Sequence, residues 1–149
     1  MSAVKVHLSL NVSDLDRSIR FYRDTLGLTL AHTVPERQVA FFWIGRPRQA
    51  MLGLWSIGTA PLSQRLHFAF EVTLADAIAS ITKLRQAGIM PRSGNGDPIE
   101  EPEVHPWIPA ASVYFDDPDR HSLEYIAMLP EPPRPDMQRV TLSAWRALH

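Results

Sequence analysis

Three residues in this chain of 149 are of types that bind divalent metals and sit in similar settings: His7, His67 and Glu124. Each lies in a short run where polar and apolar residues alternate, and each falls on the polar side of that run. Two imidazoles and one carboxylate meeting on one face of a sheet form a divalent-metal site with room left for a substrate. A lone strand histidine is more often a hydrogen-bonded partner than a ligand, so the pairing carries the weight. His7 and His67 stand 60 positions apart in matching patterns, and Glu124 lies between Leu123 and Tyr125, which take the opposite face. A carboxylate inside a strand is costly unless paired or metal-bound. Tyr114 shares its parity with Ser112 and Asp116, placed either to orient a substrate oxygen or donate a proton, or to serve as a core tyrosine. His105 precedes it by nine positions, on an expected loop beside Pro106 and Trp107. Ser9 shares the face of His7, and His121 is expected exposed in a turn.

These side chains need strands to hold them. Residues 4–11 alternate, with Val4, Val6, Leu8 and Leu10 opposite Lys5, His7, Ser9 and Asn11. Ser13 then offers a helix N-cap, Leu15, Ile19, Tyr22 and Leu26 recur at helical spacing, and Gly27 supplies a left-handed stop. Residues 28–34, 38–44 and 50–56 read as three strands. After a connector over 58–65 the order begins again. Leu66, Phe68, Phe70 and Val72 oppose His67, Ala69 and Glu71, and residues 75–87 read as a helix burying Ala77, Ile78, Ile81 and Leu84 before Gly88. Residues 89–92 are an edge-strand candidate limited by Pro91, 93–96 a turn, and 111–115 and 122–128 the last strands. The tail beyond residue 129 is proline-rich and cannot enter a sheet interior; 141–148 suits a short helix. The helix-stopping glycines, 27 and 88, are 61 positions apart, so the chain reads as strand–helix–strand–strand–strand twice, with a pseudo-twofold axis expected to relate His7 and His67.

Bulk composition narrows the function classes. With 45% hydrophobic residues the chain supports one domain-sized core. A net charge of −1 gives no long-range pull toward nucleic acid or anionic lipid. No apolar run reaches membrane-spanning length, and residues 1–5 lack signal-peptide features, which sets the expectation of a cytoplasmic protein. There is no cysteine, so thiolate chemistry and thiolate metal sites are excluded.

Two stretches carry a family resemblance. Val6-His7-Leu8-Ser9-Leu10-Asn11-Val12-Ser13-Asp14, followed by Phe21-Tyr22-Arg23-Asp24-Thr25-Leu26-Gly27-Leu28, resembles the opening of the vicinal oxygen chelate superfamily. Tyr114-Phe115-Asp116-Asp117-Pro118-Asp119-Arg120-His121-Ser122-Leu123-Glu124 resembles its closing motif. The superfamily includes glyoxalase I, extradiol dioxygenases, and the fosfomycin and bleomycin resistance proteins. The resemblance implies an α+β fold of paired βαβββ modules, a cup-shaped mixed sheet with helices outside. The modules would span about 4–57 and 66–128 in a domain ending near 129. It also implies one divalent ion, Fe(II), Mn(II), Zn(II) or Ni(II), on His7, His67 and Glu124, a small-molecule substrate, and a homodimer in which modules can be exchanged. The spacing of His105 and Tyr114 is similar to that of a histidine and tyrosine near the metal in ring-cleaving members, and Ser9 matches a hydroxyl residue of fosfomycin-modifying members.

Two departures shape the expected chemistry. Gly53 stands where glyoxalase members carry a fourth, glutamate ligand that also serves as base, so a dioxygenase-like or lyase-like reaction is expected rather than that of a true glyoxalase I. Arg120 stands at a turn position where the family usually has glycine, at a cost of about 1 kcal/mol if the backbone is kept. Trp43, Trp55, Met51 and Trp107 offer an apolar wall, or ordinary core. The apolar run Trp107-Ile108-Pro109-Ala110-Ala111 argues against a phosphonate substrate. The alternatives are a metal-free protein that sequesters a drug or metabolite, and a fosfomycin-resistance-like metal enzyme.

Overall fold

A computed structural model describes residues 6–56 and 65–148. The connector expected over 58–65 lies almost wholly outside them. The chain divides into two compact units, Met1–Leu66 with Asp117–Arg120, and His67–Asp116 with His121–His149.

In the first unit, β1 (Val6–Val12), α1 (Leu15–Arg20), β2 (Thr29–Val34), β3 (Val39–Ile44) and β4 (Ala50–Ser56) build a four-stranded sheet in the order β1-β4-β3-β2. β1 and β4 run parallel, the other neighbours antiparallel. Alternation does what the pattern predicts. Leu10, Val12, Ala40, Phe42, Leu52 and Leu54 are buried on the face that takes Tyr22, each large side chain contributing about 1.5–3 kcal/mol. The N-cap is Asp14 rather than Ser13, accepting from the Arg17 amide at 2.9 Å. Ser13 is engaged instead by Asp119, whose carboxylate takes both its amide and its hydroxyl. The helix continues as a π turn over Phe21–Thr25 and ends at Gly27, φ +71.

In the second unit, β5 (His67–Glu71), α2 (Leu74–Gln86), β6 (Glu103–His105), β7 (Ala110–Asp116), β8 (Ser122–Met128), β9 (Val140–Thr141) and α3 (Leu142–Arg146) give a sheet in the order β5-β8-β7-β6-β9. Its first four strands repeat the topology of the other unit, with β5 and β8 parallel. Thr73 caps α2. At its end, Gly88 (φ +74) donates to the Arg85 carbonyl and Ile89 to the Leu84 carbonyl, the paired bonds of a Schellman stop.

Several expectations need correcting. Ile78 is 41% exposed, and Ser80 takes its place in the buried stripe, donating to the Ala77 carbonyl. Residues 89–92 form no strand: the chain leaves the Schellman turn through Pro91, and only Arg92 bridges to Pro98 and Tyr114. The tail, whose role the sequence leaves open, packs on the second unit. β9 pairs with β6, and Leu142 and Trp145 are buried with Val104 and Ala111. Among the described residues, no helix is long and apolar enough to cross a membrane.

Candidate functional site

Register assembles the second unit's polar face. Ser122 is the cross-strand partner of His67, Glu124 of both Ala69 and Tyr114, and Ser112 of Glu103. Strand alternation therefore stands His67, Glu124, Ser112, Tyr114, Asp116, Glu103 and His105 on one side, opposite Val104, Val113, Phe115 and Leu123.

His67 Nε2 lies 3.1 Å from Glu124 Oε2, and its Nδ1 lies 2.9 Å from the Ser122 carbonyl oxygen. A carbonyl only accepts, so Nδ1 carries the proton of that bond. Nε2 then either holds a second proton or turns a lone pair toward a carboxylate. Lone pairs on both atoms at that distance repel, and a cation between them removes the conflict. Glu124 is 4% exposed, and a buried carboxylate is costly unless it is paired, hydrogen-bonded or metal-bound. An imidazole whose Nδ1–H is fixed by a carbonyl while Nε2 faces outward is the tautomer metal-ligating histidines adopt. The donor set of one imidazole nitrogen and one buried carboxylate thus fits a divalent ion. Among the described residues, no three His, Asp or Glu side chains gather into one metal-binding group; the second unit by itself brings two of the expected ligands together.

Beside this pair the Tyr114 hydroxyl lies 3.0 Å from His105 Nε2. Burial, and then the charge and hydrogen bonding of Glu124, hold the Tyr114 pKa well above that of a free phenol, so it stays a hydroxyl. Burial lowers the His105 pKa against the opposing pull of Glu103 and Glu124, so the imidazole favours its neutral form. Glu103 Oε2 accepts from the Gly94 amide at 3.0 Å and from Arg139 at 3.3 Å, and lies 3.9 Å from His105 Nε2. Arg92 stacks against the Tyr114 ring at 5.8 Å and donates to Asp116 at 2.7 Å and to the Ser122 hydroxyl at 2.8 Å. Ser122 thereby links Arg92 to His67.

His105 lies at the end of β6, not on a loop. The prolines at 102 and 106 hide a strand of three residues, too short for alternation to show. His121 is 3% exposed rather than exposed, drawn in by tertiary packing that its turn gives no hint of. Trp107 is 62% exposed, unlike a pocket wall. Arg92, Glu103 and Arg139 escaped sequence reasoning; their partners are distant in the chain, and no local pattern marks them.

In the first unit His7 and Ser9 are exposed on β1. Met51 and Gly53 are their cross-strand partners on β4, and Gly53 also pairs with Phe41. A Cβ on Gly53 would stand 3.0 Å from Trp55 Nε1 and 3.3 Å from His7 Nε2. Any side chain at the position where glyoxalase members place their fourth ligand would have to push these rings aside by a few tenths of an ångström. Arg120 holds φ +65, its amide bonded to the Asp117 carbonyl at 2.9 Å, so the arginine keeps the glycine-like turn.

Comparison with known proteins agrees with this architecture. The chain is 30% identical over 119 residues to the metallothiol transferase FosB of Staphylococcus epidermidis, covering 79% of this chain and 77% of that one. It is 27% identical over 93 residues to an uncharacterized protein of Pseudomonas aeruginosa, covering 58% of this chain and 66% of that one, just under two thirds of the relative's length. An integron cassette protein from the mobile metagenome of the Halifax Harbour sewage outfall superposes with TM-score 0.72 at 26% identity, over 83% of this chain and 97% of that one. The profile of one family matches residues 6–125. The chain belongs to the Glyoxalase/Bleomycin resistance protein/Dioxygenase superfamily.

Proposed function

We propose that the chain is a divalent-metal enzyme acting on a small substrate that chelates the ion through adjacent oxygens, with His7, His67 and Glu124 as ligands and a dioxygenase-like or lyase-like reaction. The observation that carries this reading is the buried Glu124 carboxylate 3.1 Å from a His67 nitrogen whose ring partner is already committed to a carbonyl. An ion held there supplies Lewis acidity toward the substrate's paired oxygens. The chain's own groups do the rest. Tyr114 keeps its proton and donates it as a hydrogen bond to a substrate oxygen beside Glu124. His105, neutral and 3.0 Å away, accepts or returns a proton through that hydroxyl. Glu103 and Arg139 hold the outer end of this chain of groups. Gly53 argues against glyoxalase I chemistry, because the carboxylate base that reaction uses has no counterpart there. His7 is supplied by the same chain or by a partner copy in an exchanged dimer.

A second reading, transfer of a thiol to a fosfomycin-like substrate, is favoured by the 30% identity to a metallothiol transferase. The apolar run Trp107-Ile108-Pro109-Ala110-Ala111 counts against a phosphonate substrate. Two assays separate the readings. Fe(II)-loaded protein offered catechols is expected to consume oxygen. If no diol supports uptake, the dioxygenase branch falls; thiol-dependent loss of fosfomycin with Mn(II)-loaded protein would put the second reading in its place.

A further inference from the structure

Beside His7, the open face of the first unit's sheet carries groups that this chemistry leaves unused. From His7 the rings step edge to face, to Phe41 at 5.9 Å and from Phe41 to Trp55 at 6.1 Å. The Arg37 guanidinium lies 4.9 Å above the Trp55 ring. His7 and Arg37, at the two ends, are exposed, and the two rings between them are half-buried. A guanidinium stacked on an aromatic face keeps its N–H edge free for a carboxylate. Among the described residues, no carboxylate forms a salt bridge with Arg37.

A second, independent observation points to an acceptor on the same face. Among the described residues the Trp55 indole Nε1 is buried without a hydrogen-bond partner, and a buried donor left unmatched is costly. It sits against Gly53, with His7 Nε2 on the same notch. The protein places two nitrogens around the one position of β4 that has no side chain.

We infer that this face is a recognition wall for a planar, acidic ligand. The ring packs along Phe41 and Trp55, the acid group pairs with Arg37, and an oxygen over Gly53 accepts from Trp55 Nε1–H beside His7. The indole shifts slightly to open its donor. The placement of that oxygen rests on His7 as a metal ligand; the preference for an acid rests on Arg37 alone.

The test compares catechol with 3,4-dihydroxybenzoate by calorimetric titration of the full chain, Mn(II)-loaded and chelator-stripped. The acid is expected to bind the loaded protein at least tenfold more tightly. Arg37→Ala removes that difference and leaves catechol affinity unchanged, while Arg37→Lys keeps part of it. Trp55→Phe weakens both ligands several-fold and keeps their ratio, with melting temperature and circular dichroism monitoring the fold. Equal affinity of the two ligands for the wild type, or an undiminished acid preference in Arg37→Ala, overturns the proposal. If metal changes neither affinity, the metal reading fails by itself, and the acid preference of the stripped protein still decides this one.

Discussion

The two sheets share one topology and differ in what they display. In each, the first strand pairs in parallel with the fourth, and one face is covered by a helix and buried as core. On the open face the first unit shows His7, His32, Phe41, Gly53 and Trp55, with Arg37 over Trp55, so its titratable groups are spread among rings and a glycine. The corresponding face of the second unit is dense in titratable groups: Glu124, Tyr114, His105 and Glu103 are linked in turn, and Arg92 flanks them against the Tyr114 ring. A repeated fold thus leaves its open faces free to diverge, because only the covered face must be apolar to fold. In the proposed function one face serves contact and the other the handling of protons.

Four changes probe that contrast. The largest effect is expected from Tyr114→Phe, which takes the hydroxyl from between Glu124 and His105. Turnover should fall by about 10²-fold with little change in metal content, and a loss of metal instead would make Tyr114 a structural group. Arg92→Met cuts the link from Asp116 to Ser122 and so loosens His67. Metal affinity should fall about tenfold, with partial recovery in Arg92→Lys, whereas Arg37→Ala on the other unit should leave it unchanged. Equal effects of the two arginines would erase the division of labour.

The third change concerns pH. The His105 pKa is depressed in the folded state, so the unfolded chain binds the extra proton first on acidification. Its contribution to stability is full above about pH 6.5, the ordinary histidine value, and is lost as pH falls toward the folded pKa. Denaturant titrations of metal-free protein across that window should show the slope, and His105→Gln should flatten it. The smallest effect is expected from Arg120→Gly, which relieves a left-handed backbone at φ +65. Stability should rise by about 0.5–1 kcal/mol with activity unchanged.

Much of this arrangement was legible in the sequence, for a physical reason. A sheet with one covered face writes itself as alternation, so the long strands and the inward parity of His67, Glu124 and Tyr114 could be read directly. What depended on distant partners could not. Ser13 and Asp14 are both able caps, and the choice is made by Asp119, over a hundred positions away. β6 and β9 are three and two residues long and exist only by pairing with each other and with β7. The support given to His105 by Glu103 and to His67 by Arg92 through Ser122 arises from register, which no single strand displays.

The central claim is that His7, His67 and Glu124 hold one divalent ion. Elemental analysis of protein purified without chelator tests it most directly, alongside His7→Ala, His67→Ala and Glu124→Ala, each checked for folding by circular dichroism. The account predicts about one ion per chain in the wild type and near-complete loss in all three variants. A folded wild type free of metal after exposure to each of Fe(II), Mn(II), Zn(II) and Ni(II), or full metal content surviving in Glu124→Ala, would contradict it.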